Sequence, residues 1–135
     1  DAHSRLSVGP ERAMRMSATR TALASNVPLA IHSDAPVTPL GPLFTAWAAV
    51  NRITASGRTQ GDGEKIGVDD ALYAITMGAA YTLHLDGELG SIEVGKRADF
   101  AVLDDDPAAV DAMALKDIPV WGTVQGGRIF PAAEL

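Results

Sequence analysis

Three residues whose types could do chemistry stand side by side at 32–34: His32, Ser33 and Asp34, within "IHSDAPVTP" (31–39). A nucleophile–base–acid relay cannot be built from them, because successive residues of an extended strand point to opposite faces. A lone carboxylate where a parallel strand stops is a better candidate. Barrels and open α/β sheets place catalytic groups at the C-terminal ends of their strands, and a carboxylate there can accept a proton and hand it on. The simpler alternative is that Asp34 opens a turn ahead of Pro36, as aspartate often does. The local pattern weighs the two evenly. Little else in the chain could assist, since it holds three histidines and no cysteine. Thiolate nucleophiles, cysteine-based zinc sites and disulfides are thereby excluded.

The elements around this stretch set where those side chains can go. "VPLAI" (27–31) is short, apolar and bounded by Asn26 and the polar residues 32–34. It predicts a buried strand, of the parallel type that is covered on both faces. Upstream, Pro10 after Gly9 opens a helix. Ser17 is expected to cap a second short helix running to Leu23, with Asn26 as its stop. Downstream, Pro42 opens an amphipathic helix ending near Gly57. Its buried face is Leu43, Trp47 and Val50, widened by Phe44 and Ala48.

A glycine-rich polar loop (57–67) follows, without phosphate-cradle spacing; it is expected to rim an active-site mouth. The next helix carries Asp69 and Asp70 in its first turn, where the helix dipole favours them. Leu72, Ile75 and Ala79 are its expected buried stripe, and His84 is expected to cap its end. Past residue 84 the runs become short, β-like and punctuated by glycine, and Gly126-Gly127 predicts a hairpin. "LDDDP" (103–107) lacks the spaced ligands of a calcium loop and reads as a solvated turn. The chain thus divides into an α/β part (1–84) and a β part (85–135).

With 135 residues, 47% apolar and 21% charged, the chain can bury the core of one ordinary domain. A net charge of −6 argues against nucleic acid or an anionic membrane as partner. No apolar run approaches the ~20 residues of a membrane span, and no secretory signal is recognisable. A cytoplasmic protein is expected.

A second motif tips the balance on Asp34. "LGSIEVGKRADFAVLD" (89–104) resembles the G-x-[IL]-x-x-G-K-x-A-D-[FLI]-x-[VL]-L-D signature of the amidohydrolase superfamily, with Gly90, Gly95, Lys96, Ala98 and Asp99 all matching. "HSDAPVTPLGPL", "AVNRIT", "DDALYAITMGAAY", "VWGTVQGGRIF" and the opening "DAHSRLSVGPERA" extend the likeness over nearly the whole chain. Together they resemble the C-terminal third of amidohydrolase family 3, in the branch of the N-substituted formamide deformylases.

That resemblance implies a (β/α)8 TIM barrel with a small composite β-sandwich beside it, of which this chain would be the last barrel portion and the C-terminal sandwich strands. It implies a metal-dependent hydrolase acting on an amide or N-formyl/N-acyl C–N bond, with a divalent metal, zinc by expectation. Asp34 takes the position of the aspartate that contacts the metal or its water, so it is the expected catalytic and metal-contacting residue. His3, in a "D-x-H"-like element, is an expected substrate contact, with an ordinary surface position the alternative. His32 shares the face of Asp34 if the strand stays extended, and is expected to pack there with a backbone hydrogen bond, or else to contact substrate. Lys96 and Asp99 are implied to serve the turns of the sandwich.

The family's other ligands, a His-x-His pair, a bridging Lys or Glu and two mid-barrel histidines, are not in this sequence. The expected partners are therefore a small amide-type substrate and either an N-terminal part of the same protein or further copies of the chain. Two rivals stay open: a non-catalytic folding or assembly module, and a parent enzyme acting as a deaminase or cyclic-amide hydrolase.

Overall fold

In the computed structural model, which describes residues 2–132, backbone reversals set most element boundaries. A π-type turn over His3–Ser7 leads to α1 (Pro10–Ala13), where Pro10 takes the first helical position. Its fixed φ and missing N–H suit that place. α2 (Thr19–Ala24) begins without a side-chain cap. Ser17 has φ 51° and offers its carbonyl, which accepts the Thr19 N–H at 2.8 Å. The expected Ser17 cap is thus corrected: a capping hydroxyl needs an extended backbone, which Ser17 lacks. Asn26 does stop the helix. It sits at φ 53°, with Asn26 N–H bonding the Leu23 carbonyl and Val27 N–H the Ala22 carbonyl, both at 3.0 Å. Those are the paired bonds of a Schellman motif.

Residues 27–31 form no strand. Val27 is 51% exposed, and Leu29, Ala30 and Ile31 are half-buried. The expectation of a strand buried on both faces is overturned, and this segment lends the barrel no support. A strand exists through its ladder, and no described residue pairs with this one. Beyond the α2 stop, its one backbone bond to another element among the described residues is Ile31 N–H to the Ala74 carbonyl, at 3.4 Å. It still lies tight on the helices: a Cβ at Gly78 would stand 2.1 Å from the Leu29 carbonyl oxygen, so only glycine fits there.

α3 (Pro42–Asn51) opens on Pro42 as expected but ends well short of Gly57. Arg52 turns left-handed, at φ 55°, with its N–H still bonded to the Ala48 carbonyl. Its guanidinium then donates to three carbonyls: Met16 at 2.6 Å, Gln60 at 2.8 Å and Ser17 at 3.0 Å. Those bonds hold the chain where a longer helix would carry it away. Ala46, Trp47 and Ala49 are buried, with Leu43, Phe44, Ala48 and Val50 packed partly against the same core.

The following helix is broken at Thr76 into α4 (Val68–Ile75) and α5 (Met77–Thr82). The Thr76 hydroxyl bonds back to the Leu72 carbonyl at 2.7 Å, a contact that competes with the helix's own hydrogen bonds. The buried positions are Ala71, Ala74, Gly78 and Ala80, while the expected stripe of Leu72, Ile75 and Ala79 is half-buried. The packed face is rotated toward small residues because they alone permit the close approach that Gly78 displays. His84, at φ 58°, ends α5, and does so through its backbone: His84 N–H bonds Tyr81 and Leu85 N–H bonds Ala80.

β1 (Phe100–Leu103), β2 (Val120–Gln125) and β3 (Arg128–Pro131) make one antiparallel sheet in that order. Gly126 and Gly127, both at positive φ, close the β2–β3 hairpin where the sequence predicts it. Asp104 to Asp106 are exposed, and the Asp106 carboxylate accepts the Ala108 N–H, as befits a solvated turn. The core gathers Ala46, Trp47 and Ala49 of α3, Ile66, Ala71 of α4, and Leu115 and Ile118 ahead of β2. Trp47 Nε1 donates to the Met113 carbonyl at 3.0 Å and Asn51 Nδ2 to the Ala112 carbonyl at 2.9 Å, tying α3 to the segment that feeds the sheet.

Candidate active site

Asp34 is displayed by a small loop that is hydrogen-bonded to itself. Its backbone is left-handed, at φ 54°, a conformation that aspartate adopts far more readily than most residues. Its N–H donates to His32 Nδ1 at 3.0 Å, and its carbonyl accepts the Val37 N–H at 2.8 Å. The Thr38 hydroxyl donates to the Ser33 carbonyl. The Asp34 side chain is thus free of its own loop's bonding, and the residue is exposed. His32 is exposed as well, so the expected packing role is not found; a backbone hydrogen bond is, and it comes from the Asp34 N–H. His3 lies in the exposed N-terminal turn, and no hydrogen bond or ion pair among the described residues joins it to His32 or Asp34.

These residues do not make a metal site alone. Among the described residues no three His, Asp or Glu side chains converge on a common point. With Nδ1 engaged, His32 and Asp34 offer one nitrogen and one carboxylate, where a catalytic zinc normally takes three protein ligands. A separate cleft of about 480 Å³ runs between residues 23–29 and the α4–α5 helices, lined by Tyr73, Gly78 and Tyr81 among others. Asp34 is not part of its wall, so its position says nothing about the chemistry.

The signature stretch has a structural role. Lys96 Nζ donates to Ser91 Oγ at 2.6 Å and lies 3.4 Å from Glu93, with the Met77 sulfur of α5 at 3.7 Å. The Asp99 carboxylate accepts the Gly126 N–H at 2.6 Å, and the Ala98 carbonyl accepts Gly127 N–H, so both fasten the hairpin turn. Gly90, at φ +94°, could not carry a Cβ, which would stand 2.7 Å from that of Ala80.

Over its whole described length, then, the chain shows an exposed aspartate in "HSD" and a glycine-lysine-aspartate turn locked onto a hairpin. The family model described as the amidohydrolase family matches residues 1–131. The chain belongs to the amidohydrolase family. An amidohydrolase relative, the N-substituted formamide deformylase of Arthrobacter pascens, is 34% identical over 114 residues, covering 84% of this chain and 21% of that protein. Protein LONG AFTER FAR-RED 3 of Arabidopsis thaliana is 40% identical over 98 residues, 71% of this chain and 17% of that protein. Among solved structures, an amidohydrolase from Thermotoga maritima MSB8 superposes with a TM-score of 0.64 at 24% identity, over 84% of this chain and 26% of that one. The likeness is one of fold. This amidohydrolase chain therefore spans about a sixth to a quarter of the length of these proteins.

One ionisable residue was missed by sequence reasoning. Glu64, 7% exposed, accepts the Thr21 hydroxyl at 2.5 Å and the Thr21 N–H at 2.9 Å, while its carbonyl accepts the Thr19 hydroxyl. It pins the 57–67 loop to α2. Within "GDGEKIG" nothing marked it, because its partners lie over forty residues away. The Thr21 bonds, aided by Arg52 and Arg15, hold its carboxyl below the usual carboxylate range despite opposing burial. Partial burial lowers Arg52 in turn, against the pull of Glu64.

Because folding lowers the Glu64 pKa, its ionised form stabilises the fold above the unfolded-chain pKa, and that contribution disappears as pH falls through the folded-state value. Glu64→Gln is expected to melt lower than wild type at pH 7 and to lose less on acidification. Thermal melts followed by circular dichroism from pH 7 down to pH 3 check this; parallel curves for the two proteins would refute it.

Proposed function

We propose that this chain is the C-terminal part of an amidohydrolase that cleaves a C–N bond in a small amide-type substrate, an N-formyl or N-acyl amine, with Asp34 as its acid–base group. Residues 1–84 would belong to the closing portion of a (β/α)8 barrel and 85–135 to the β-sandwich beside it. The observation that carries this reading is the Asp34 carboxylate, exposed at the head of a hydrogen-bonded loop in a chain of this family. In that setting Asp34 takes a proton from the attacking water on one carboxylate oxygen and returns it to the departing nitrogen, which would otherwise leave as an unstable amide anion.

A divalent metal, zinc by expectation, belongs to this reading only in a longer polypeptide, because His32 and Asp34 alone do not make its site. The isolated chain is accordingly expected to be inactive. Its sheet exposes Val120, Trp121, Ile129 and Phe130. These apolar side chains, which strand alternation divides between the two sides of the sheet, would meet the rest of the same protein, and in the isolated chain they favour self-association. As to location, no helix among the described residues is long and apolar enough to cross a membrane.

Turnover assays with the complete polypeptide test the function. N-formyl and N-acyl amines are expected to yield free amine and the carboxylic acid. Ammonia released from an amino-heterocycle, or opening of a cyclic amide with no action on the acyclic ones, would move the reading to a deaminase or cyclic-amide hydrolase. Inactivity of the metal-replete protein on all of them would leave a folding or assembly module.

A further inference from the structure

We propose that His32 is a positioning residue for Asp34, acting through Nδ1, and not a substrate contact acting through Nε2; this rests on the acid–base reading of Asp34. Nδ1 is the acceptor of the Asp34 N–H, at 3.0 Å. An imidazole nitrogen that accepts a hydrogen bond carries no proton, so the neutral ring holds its proton on Nε2. The bond spans two residues, from the side chain of 32 to the backbone of 34, which is the geometry by which an asparagine or aspartate side chain closes a turn.

Three bonds converge on the peptide units that flank the Asp34 Cα. His32 Nδ1 fixes its N–H, Val37 N–H fixes its carbonyl, and the Thr38 hydroxyl fixes the Ser33 carbonyl just before it. Asp34 is at φ 54°, in the left-handed region that side-chain-bearing residues visit sparingly. Its N–H would otherwise be released to water, and the backbone could relax toward commoner conformations that swing the carboxylate elsewhere. At its base the loop is tied to α4 by Ile31 N–H and the Ala74 carbonyl. His32 therefore decides where the proton-accepting oxygens stand, without touching what they act on. The hydrogen bond is exposed, so a local acceptor of matched length is needed to compete with water.

Two conservative replacements separate the alternatives. Asparagine places its Oδ1 where Nδ1 stands and keeps the acceptor, while losing everything that Nε2 could offer. Glutamine reaches as far as Nε2 but lacks a matched acceptor for the Asp34 N–H. In this chain, amide hydrogen exchange at Asp34, read by NMR, is expected to be slow in wild type and His32→Asn, and at least several-fold faster in His32→Gln and His32→Ala. In the complete amidohydrolase polypeptide, His32→Asn is expected to keep kcat within about threefold, whereas His32→Gln and His32→Ala lose ten-fold or more in kcat with little change in KM.

The reverse order overturns the proposal: His32→Gln active, and His32→Asn impaired through KM. Equal exchange at Asp34 in all four proteins overturns it as well. Full activity of every His32 variant alongside an inactive Asp34→Asn would reject His32 as a positioning residue and leave the Asp34 reading standing. An active Asp34→Asn would instead reject the acid–base reading, and with it the positioning role, whatever the exchange data show.

Discussion

Asp34→Asn in the complete polypeptide is expected to lower kcat by about 10²–10⁴-fold, the usual contribution of a general acid–base group, while the melting temperature stays within a degree or two. The replacement keeps the size and planarity of the side chain and removes its charge and its ability to accept a proton at neutral pH. The fold should not notice. Asp34 is exposed, no bond to its side chain holds the loop, and its φ of 54° suits asparagine as well as aspartate. Initial rates on an N-formyl amine, paired with thermal melts of both proteins, check the two halves of the statement. Near wild-type turnover would return Asp34 to the turn-forming residue that its neighbours Ala35 and Pro36 suggest. A large drop in melting temperature would mean that the carboxylate holds structure together.

Trp47→Ala is expected to cost about 3–5 kcal/mol, the range for truncating a buried aromatic side chain. Trp47 is 7% exposed, stacks on Phe44 with ring centroids 5.7 Å apart, and lies beneath Lys116 Nζ, 5.6 Å from the ring. Its indole N–H also satisfies the Met113 carbonyl. A loss of that size is a large share of the ~5–15 kcal/mol that keeps a domain folded, so the melting temperature should fall by roughly 10–20 °C. Trp47→Phe separates packing from the hydrogen bond. It keeps most of the buried area and forfeits the bond, a net contribution of ~0.5–1.5 kcal/mol. Urea titration of the three proteins measures the series. Equal stability of the alanine and phenylalanine variants would show that the bond to Met113, and not burial, is what Trp47 provides.

The family was legible in the sequence because its signature is made of local turn chemistry. Gly95 and the Gly126-Gly127 pair turn the chain where they stand, Lys96 bonds nearby Ser91, and Asp99 fastens the hairpin turn at Gly126. The same holds for Pro10, Pro42 and Asn26, each of which begins or ends a helix by the conformation of its own backbone. Asp34 could be singled out by its residue type at the end of an apolar run. Its partnership with His32 was foreseen only as a shared face, and the bond that joins them depends on a left-handed backbone that a strand pattern does not announce.

Only the tertiary structure could decide the rest, because it turned on groups distant in sequence. Residues 27–31 carry a strand's composition, yet a strand needs a ladder, and no described residue supplies one. α3 stops at Asn51 because Arg52 finds carbonyls at 16, 17 and 60. The buried face of α4 and α5 is set by how near Leu29 comes to Gly78, which hydrophobic periodicity cannot register. Glu64 is held by Thr19 and Thr21 across more than forty residues. Sequence by itself determined the family and the residue on which its chemistry is proposed to turn, since both are written in contiguous, backbone-dictated motifs. Packing decided which apolar face is inside, where helices end and which carboxylate is buried, since each depends on a neighbour that only folding brings near.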